Sequence, residues 1–201
     1  MFCRGLDAAP EVNSVAALSR GAPAARTPGP EDAGRVLLLA VLLVVGGAPA
    51  GAAGLETVGD VGQVALPVSA LLVTLQQHDG RGTWELAESC GSTLAATQLL
   101  KASIPRTRPD GGHRSFPSGH TSSAFAGAAF LQRRYGWAWG APAYLAAGLV
   151  GYSRVQARHH WTSDVVAGAA LGVASNLGLT HHRARVAVET TARSARLVLT
   201  W

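Results

Sequence analysis

The chain has 201 residues, 48% of them hydrophobic and only 14% charged, with 24 glycines and a net charge of +5 from 17 Lys and Arg against 12 Asp and Glu. That length fits one domain with enough chain to bury a core, and the low charge points to helices packed closely on one another or against lipid. The positive balance suits an anionic membrane or a phosphorylated substrate; nucleic acid is set aside, because no base-reading motif is present and 6% aromatics give no stacking platform.

Residues 1–35 are rich in Ala, Pro, Gly and Arg, show no apolar periodicity, and are expected to be disordered. Arg35 then precedes an unbroken apolar run, Val36 to Val45, followed by small residues through Ala53. A basic flank, an apolar run and A-x-A spacing describe a secretory signal peptide over 36–52, cleaved after Ala50 or Ala52. The alternative is a membrane anchor, since Val36 to Ala53 is uncharged and just reaches spanning length. The stretch ahead of the run is long for a leader, carries Glu31 and Asp32, and holds the chain's single methionine, Met1. The expectation is therefore a start further on, near Val15 or Leu18, and a protein that is periplasmic or lies on the outer face of the inner membrane. Cys3 would leave with the leader and Cys90 would stand alone, so no intramolecular disulfide is expected.

Val61 to Leu75 is apolar apart from Gln63, Ser69 and Thr74, with Pro67 as an expected kink. His78 to Gly82 reads as a turn, and Thr83 to Lys101 as a loosely amphipathic helix with Glu85 and Glu88 in its first turns and Lys101 in its last, where the helix dipole favours them. Ser122 to Leu131, Ala138 to Tyr152 and Val165 to Leu179 are further helices, all shorter than the ~20 residues a bilayer core requires. Ala124 and Ala128, and Gly168 and Gly172, would let backbones approach closely. Beyond His181, Val186 and Val188 and then Leu197, Leu199 and Trp201 alternate with polar residues, giving either two short strands or a disordered basic tail over 183–201.

One stretch concentrates chemistry. Ser115 to Thr121 joins a Gly- and Pro-broken loop to the helix that follows, and Pro117 and Ser118 are helix-start signals. A helix N-terminus presents unpaired N–H groups and a partial positive charge; Gly119, with no side chain, lets an anion reach that backbone. His120 beside it can exchange a proton near neutral pH. Lys101 and Arg108 stand before this stretch, and Arg154, His160 and Asp164 after it. Singly each is ordinary, a dipole partner, a solvated Arg before Pro, a helix-surface His–Asp pair. Together, three cations, a helix N-terminus and two histidines suit a phosphoryl group in transfer, whose charge spreads over three equatorial oxygens. His160 and Asp164 are four apart and are expected on one helix face, the carboxylate accepting from one ring nitrogen and leaving the other as nucleophile.

In order and spacing these residues resemble the type 2 phosphatidic acid phosphatase (PAP2) superfamily, which includes bacterial nonspecific acid phosphatases and vanadium haloperoxidases. Its motifs K-x6-R-P, P-S-G-H and S-R-x5-H-x3-D are complete here, as Lys101 to Arg108-Pro109, Pro117-Ser118-Gly119-His120, and Ser153-Arg154 to His160 and Asp164. The resemblance implies an all-α fold, a compact bundle of about five to six helices over 57–182, and a hydrolase that needs neither metal nor cofactor. By the same resemblance His160 is the nucleophile, Asp164 its orienting partner and His120 the general acid. Lys101, Arg108 and Arg154, with Ser118 and the Gly119 amide, would hold the phosphate oxygens. His113, His159, His181 and His182 match no motif position and are read as structural; zinc ligation would need partners and spacing that are missing. The implied substrate is a phosphate monoester or diphosphate, soluble or lipid. The alternatives are a vanadate-dependent haloperoxidase, for which the chain is short, and a non-catalytic phosphate or lipid binder, which would not need both histidines. Trp137, Trp139 and Trp161 are candidates for an interfacial belt and equally for the core.

Overall fold

The computed structural model describes residues 52–183 and two strands, at 185–191 and 194–200. The extension expected over 1–35 lies outside the described residues, as does the leader or anchor of 36–52 except for Ala52. Among the described residues the helices are α1 (Ala52–Gln76), α2 (Gly80–Ser103), α3 (Gly119–Tyr135), α4 (Trp137–Gln156) and α5 (Thr162–Leu179). Strands β1 (Arg185–Thr191) and β2 (Ser194–Thr200) pair antiparallel, with Val186 opposite Leu199 and Val188 opposite Leu197. The alternation in this segment therefore forms a hairpin. The helical part is the all-α bundle expected.

Helix α3 is the hub and packs against α1, α2, α4 and α5. Its small residues Ala124, Ala126, Ala128 and Ala129 are buried with Phe130 and Leu131, so neighbours on every side come close to its axis. The tightest approach is to α5: a Cβ on Gly168 would lie 2.5 Å from the Ser118 carbonyl oxygen, and one on Gly172 would lie 2.5 Å from that of Ser122. Only glycine fits at either crossing point.

All five helices start earlier than the apolar pattern suggests, α1 and α2 with the most consequence. Helix α1 begins at Ala52 rather than Val61, and the added turns carry Glu56 and Asp60. Helix α2 begins at Gly80, inside the expected turn, because the Asp79 carboxylate accepts from the Gly82 N–H at 3.0 Å and caps the first turn. Asp79 is in turn gripped by Arg134 of α3, whose Nη2 and Nε donate to its two oxygens at 2.7 and 2.8 Å, while Nη1 reaches Glu85 at 3.2 Å. The Tyr135 hydroxyl also donates to Asp79 at 2.9 Å. This buried cluster ties α1, α2 and α3 together at one end of the bundle.

Pro67 sits inside α1 and has no N–H to give the carbonyl of Gln63 one turn earlier. The Ser123 hydroxyl of α3 supplies the missing donor at 2.8 Å. A backbone group orphaned in one helix is thus satisfied from the next.

Candidate active site

At the other end of the bundle the C-termini of α2 and α4 meet the N-termini of α3 and α5. The loop from α2 to α3 is folded on itself, Arg108 N–H donating to the Gly112 carbonyl at 2.7 Å and Ser115 N–H to that of Arg106 at 2.9 Å. It reaches α3 through a cis Phe116–Pro117 bond. Ser118 is the N-cap of α3: its Oγ accepts from the Thr121 hydroxyl at 3.0 Å and, more weakly, from the Thr121 N–H, while its own N–H donates to the Asp164 carbonyl at 3.0 Å. Two helix N-termini are therefore stitched together.

His160 lies in the bend between α4 and α5, not on α5. That helix starts at Thr162, and Asp164 in its first turn accepts from the Trp161 N–H at 3.0 Å, acting as a cap. The expected shared helix face is accordingly not formed. The His160 Nδ1 stands 3.7 Å from Asp164 Oδ2 and has no hydrogen-bond partner. The fully buried Asp164 carboxylate is taken up instead by Arg106 Nη1 at 2.8 Å, by the Ser115 hydroxyl and by the Trp161 N–H.

A cavity of about 500 Å³ opens between α1, α2 and α3, with Lys101, Arg108, Gly119, His120 and His160 along its wall. Lys101 Nζ donates to the Arg114 carbonyl at 2.9 Å, which aims it across the loop, and Arg108 Nε is buried without a partner. The other three residues of the sequence pattern stand back from the cavity. Ser118 is buried as a cap, Asp164 lies behind His160, and Arg154 points to α1. There its Nη1 donates to Asp60 Oδ1 at 2.7 Å and its Nη2 to the Glu56 carbonyl. The same Asp60 oxygen is 3.0 Å from Nε2 of His120.

The electrostatics separate the histidines. Burial, with Lys101 and Arg108 adding like charge, pushes His160 down to about 4, so its imidazole is neutral over most of the pH range. Burial and then Arg154 also lower His120, but Asp60 opposes them. His159 goes the other way: its Nδ1 meets Asp110 at 2.9 Å and its Nε2 meets Glu56 at 2.6 Å, and these carboxylates raise it.

Comparison with known proteins bears on this arrangement. The PAP2 superfamily pattern matches residues 82–186. The chain belongs to the PAP2 superfamily. A lipid A 1-phosphatase of Porphyromonas gingivalis is 44% identical over 78 residues, which cover 36% of this chain and 17% of that protein. The chain thus spans well under a fifth of that relative's length. In fold, the crystal structure of Aquifex aeolicus LpxE superposes with a TM-score of 0.54 at 24% identity, covering 70% of this chain and 92% of the other.

The PAP2 match begins in α2 and leaves out α1. Yet α1 contributes Glu56 and Asp60 to the neighbourhood of the two motifs that carry His120 and Arg154. Sequence reasoning passed over both acids because they precede the apolar run; their i, i+4 spacing at the polar end of an apolar helix was the available signal. It also gave no role to Arg106 and Ser115, which sit inside loop segments where no periodicity points; His159, read as structural, bridges α1 and the α2–α3 loop.

Proposed function

We propose that this PAP2 chain hydrolyses phosphate monoesters or diphosphates, with lipid phosphates as the substrate class, through a phosphohistidine on His160. The observation that carries the reading is that two histidines, Lys101, Arg108 and the α3 N-terminus face one cavity. In the first step Nε2 of neutral His160 attacks phosphorus, the bond from phosphorus to the leaving oxygen breaks, and His120 gives that oxygen a proton. In the second, His120 removes a proton from water, which attacks the phosphohistidine and frees inorganic phosphate. Lys101, Arg108 and the Gly119 N–H balance the equatorial oxygens. Arg154 joins them when it exchanges Asp60 for a phosphate oxygen. Asp164, held by Arg106 and Ser115, supplies negative charge 3.7 Å from the His160 Nδ1–H as positive charge develops on the ring.

Two features support a lipid. From the phosphate end the cavity continues beside α2 past Thr97 and Leu94 to Gly91, and Pro67 and Ala126 form its apolar walls. Ten helical residues from Lys101 to Gly91 span ~15 Å, room for an acyl or isoprenoid chain. The outer surface is apolar as well: α1 exposes Val61, Val64, Val68, Leu71, Leu72 and Leu75, and α4 exposes Leu145 and Leu149. The stretch Gly54–Gln76 is long and apolar enough to cross a membrane, and 39% of its apolar 18-residue window is buried in the bundle. Trp137 and Trp84 are exposed at the far end and Trp161 and Tyr152 near the site; Trp137 and Trp161 flank the ~30 Å length of α4, which matches a bilayer core. Trp139 is core, 4% exposed, and takes no part in such a belt.

The test is a panel of soluble monoesters, phosphatidate and isoprenoid diphosphates presented to the purified full chain. Turnover is expected with the lipid substrates, to survive EDTA and to be blocked by vanadate. Loss of activity in EDTA, restored by Mg²⁺ or Zn²⁺, would overturn the metal-independent mechanism, and turnover of soluble esters alone would overturn the lipid assignment.

A further inference from the structure

We propose that Asp60 is a positioning residue for the reaction, engaging Nε2 of His120 so that Nδ1 is the nitrogen that passes the proton to the leaving oxygen. This rests on the phosphatase reading above and adds a residue from α1, outside the stretch that matches the family.

One carboxylate oxygen of Asp60 lies 3.0 Å from His120 Nε2 and accepts from Arg154 Nη1 at 2.7 Å. It therefore joins the general acid to the one motif cation that does not line the cavity. The contact is built into the backbone, since a Cβ on the neighbouring Gly59 would fall 2.2 Å from Arg154 Nη2. Glycine there lets α1 lie directly against the guanidinium. Asp60 is about half exposed while Arg154 is buried, so partnering a buried cation accounts for the contact with Arg154 but not for the second contact the same oxygen makes with His120.

Charge points the same way. Around His120 stand Asp60 from α1, Arg154 from α4 and His159 from the bend before α5; Lys101, Arg108 and His160 share its cavity. Asp60 is thus the carboxylate in direct contact with a ring otherwise surrounded by groups that are cationic or can become so. With a proton on each nitrogen, His120 donates from Nδ1 to the leaving oxygen as the phosphorus–oxygen bond breaks. The neutral ring keeps its Nε2–H on Asp60. The bare Nδ1 then accepts the proton of the attacking water, so one tautomer serves both steps. When phosphate draws Arg154 away, Asp60 remains with His120 alone and stabilises its charged form more strongly.

The experiment compares the full-length protein with Asp60→Asn and Asp60→Glu, using an alkyl phosphate and p-nitrophenyl phosphate, with kcat and KM measured across pH. Asp60→Asn keeps an acceptor but loses the charge. It should cost ~10-fold or more in kcat on the alkyl ester, whose leaving group needs the proton, and much less on p-nitrophenyl phosphate. The alkaline limb of its profile should move to lower pH, and an NMR titration of the His120 ring should move with it. Asp60→Glu should restore part of both. Asp60→Asn combined with His120→Ala should be no worse than His120→Ala alone. If Asp60→Asn changes KM for both esters equally and leaves the pH limb and the His120 titration in place, Asp60 is only a counter-ion of Arg154 and the inference fails. A wild-type protein that turns over neither these esters nor any lipid phosphate of the panel would instead defeat the phosphatase reading itself.

Discussion

His160 keeps a buried Nδ1 with no hydrogen-bond partner, 3.7 Å from the nearest carboxylate, beside two cations. Those surroundings favour the neutral ring, which is the form able to attack phosphorus. Protonation of His160 removes the nucleophile as pH falls through about 4, and deprotonation of His120, whose pKa is also lowered, removes the acid as pH rises. The profile of kcat/KM for the free enzyme should therefore be a bell on the acid side of neutrality; an optimum above pH 8 would contradict it. His160→Ala should abolish the phosphorylation burst on every substrate, whereas His120→Ala should lose ~10²–10⁴-fold on alkyl phosphates and far less burst rate on p-nitrophenyl phosphate. Equal slowing of both bursts in His120→Ala would remove it from the acid role. The carboxylate behind His160 depends on two residues the motif spacing does not name. Arg106→Gln and Ser115→Ala should each lower kcat with little change in KM, because they free Asp164 to move rather than touch the phosphate.

At the scale of helices, the positions that matter most for assembly have no side chain. A Cβ on Gly172 would meet the Ser122 carbonyl oxygen at 2.5 Å and the Ala126 nitrogen at 2.7 Å, both backbone atoms that cannot turn aside. Gly172→Leu should accordingly destabilise the protein by at least the ~1–3 kcal/mol of an overpacked core, and by forcing α5 off α3 it should also reduce activity; thermal melting and turnover measured together check this. Arg134→Leu at the far end removes the buried cation shared by two buried carboxylates, leaving Asp79 with Arg183 at 3.9 Å and Glu85 with Arg81 and the His181 N–H, and should cost up to ~3–5 kcal/mol, while molecules still folded keep full turnover. Asp79 in that cluster is held at about 2, below its ordinary 3.8, chiefly by Arg134 against the cost of burial. The unfolded chain therefore binds the proton first, and the stability this group contributes is present above about pH 4 and lost as pH falls through about 2. Four of the five helices were legible as apolar runs between breakers, and α2 by its looser amphipathic pattern. Their first turns were not, because Asp79 and Ser118 fix those ends through side-chain caps, and Glu56 and Asp60 extend α1 into polar sequence by finding cationic partners. The relation of His160 to Asp164 was misread for a similar reason: four-residue spacing implies a helix only when the helix has already begun, and here it begins at Thr162.

Seen as a whole, the bundle carries its polar network and its candidate site at opposite ends, with apolar flanks between them. If those flanks lie in lipid, the full chain should sediment with membranes, resist extraction by high salt and alkali, and be released by detergent. Lysines placed at Val64 and Leu72 should weaken that association without reaching the cavity. Release by salt alone would instead mean that the flanks are covered by something other than a bilayer. The three motifs fall within 101–164 and the family match within 82–186, which invites treating that stretch as a self-sufficient catalytic module. Pro67 and the carbonyl it leaves open tell against that division. Ser123, one turn into the helix that opens with Gly119 and His120, spends its hydroxyl on a backbone oxygen of α1. A chain begun at residue 82 would have a donor in its central helix with nothing to donate to, an uncovered face along α3, and an Arg154 without the acceptors it now uses. The inheritance unit that similarity detects is in this protein smaller than the physical unit that can work.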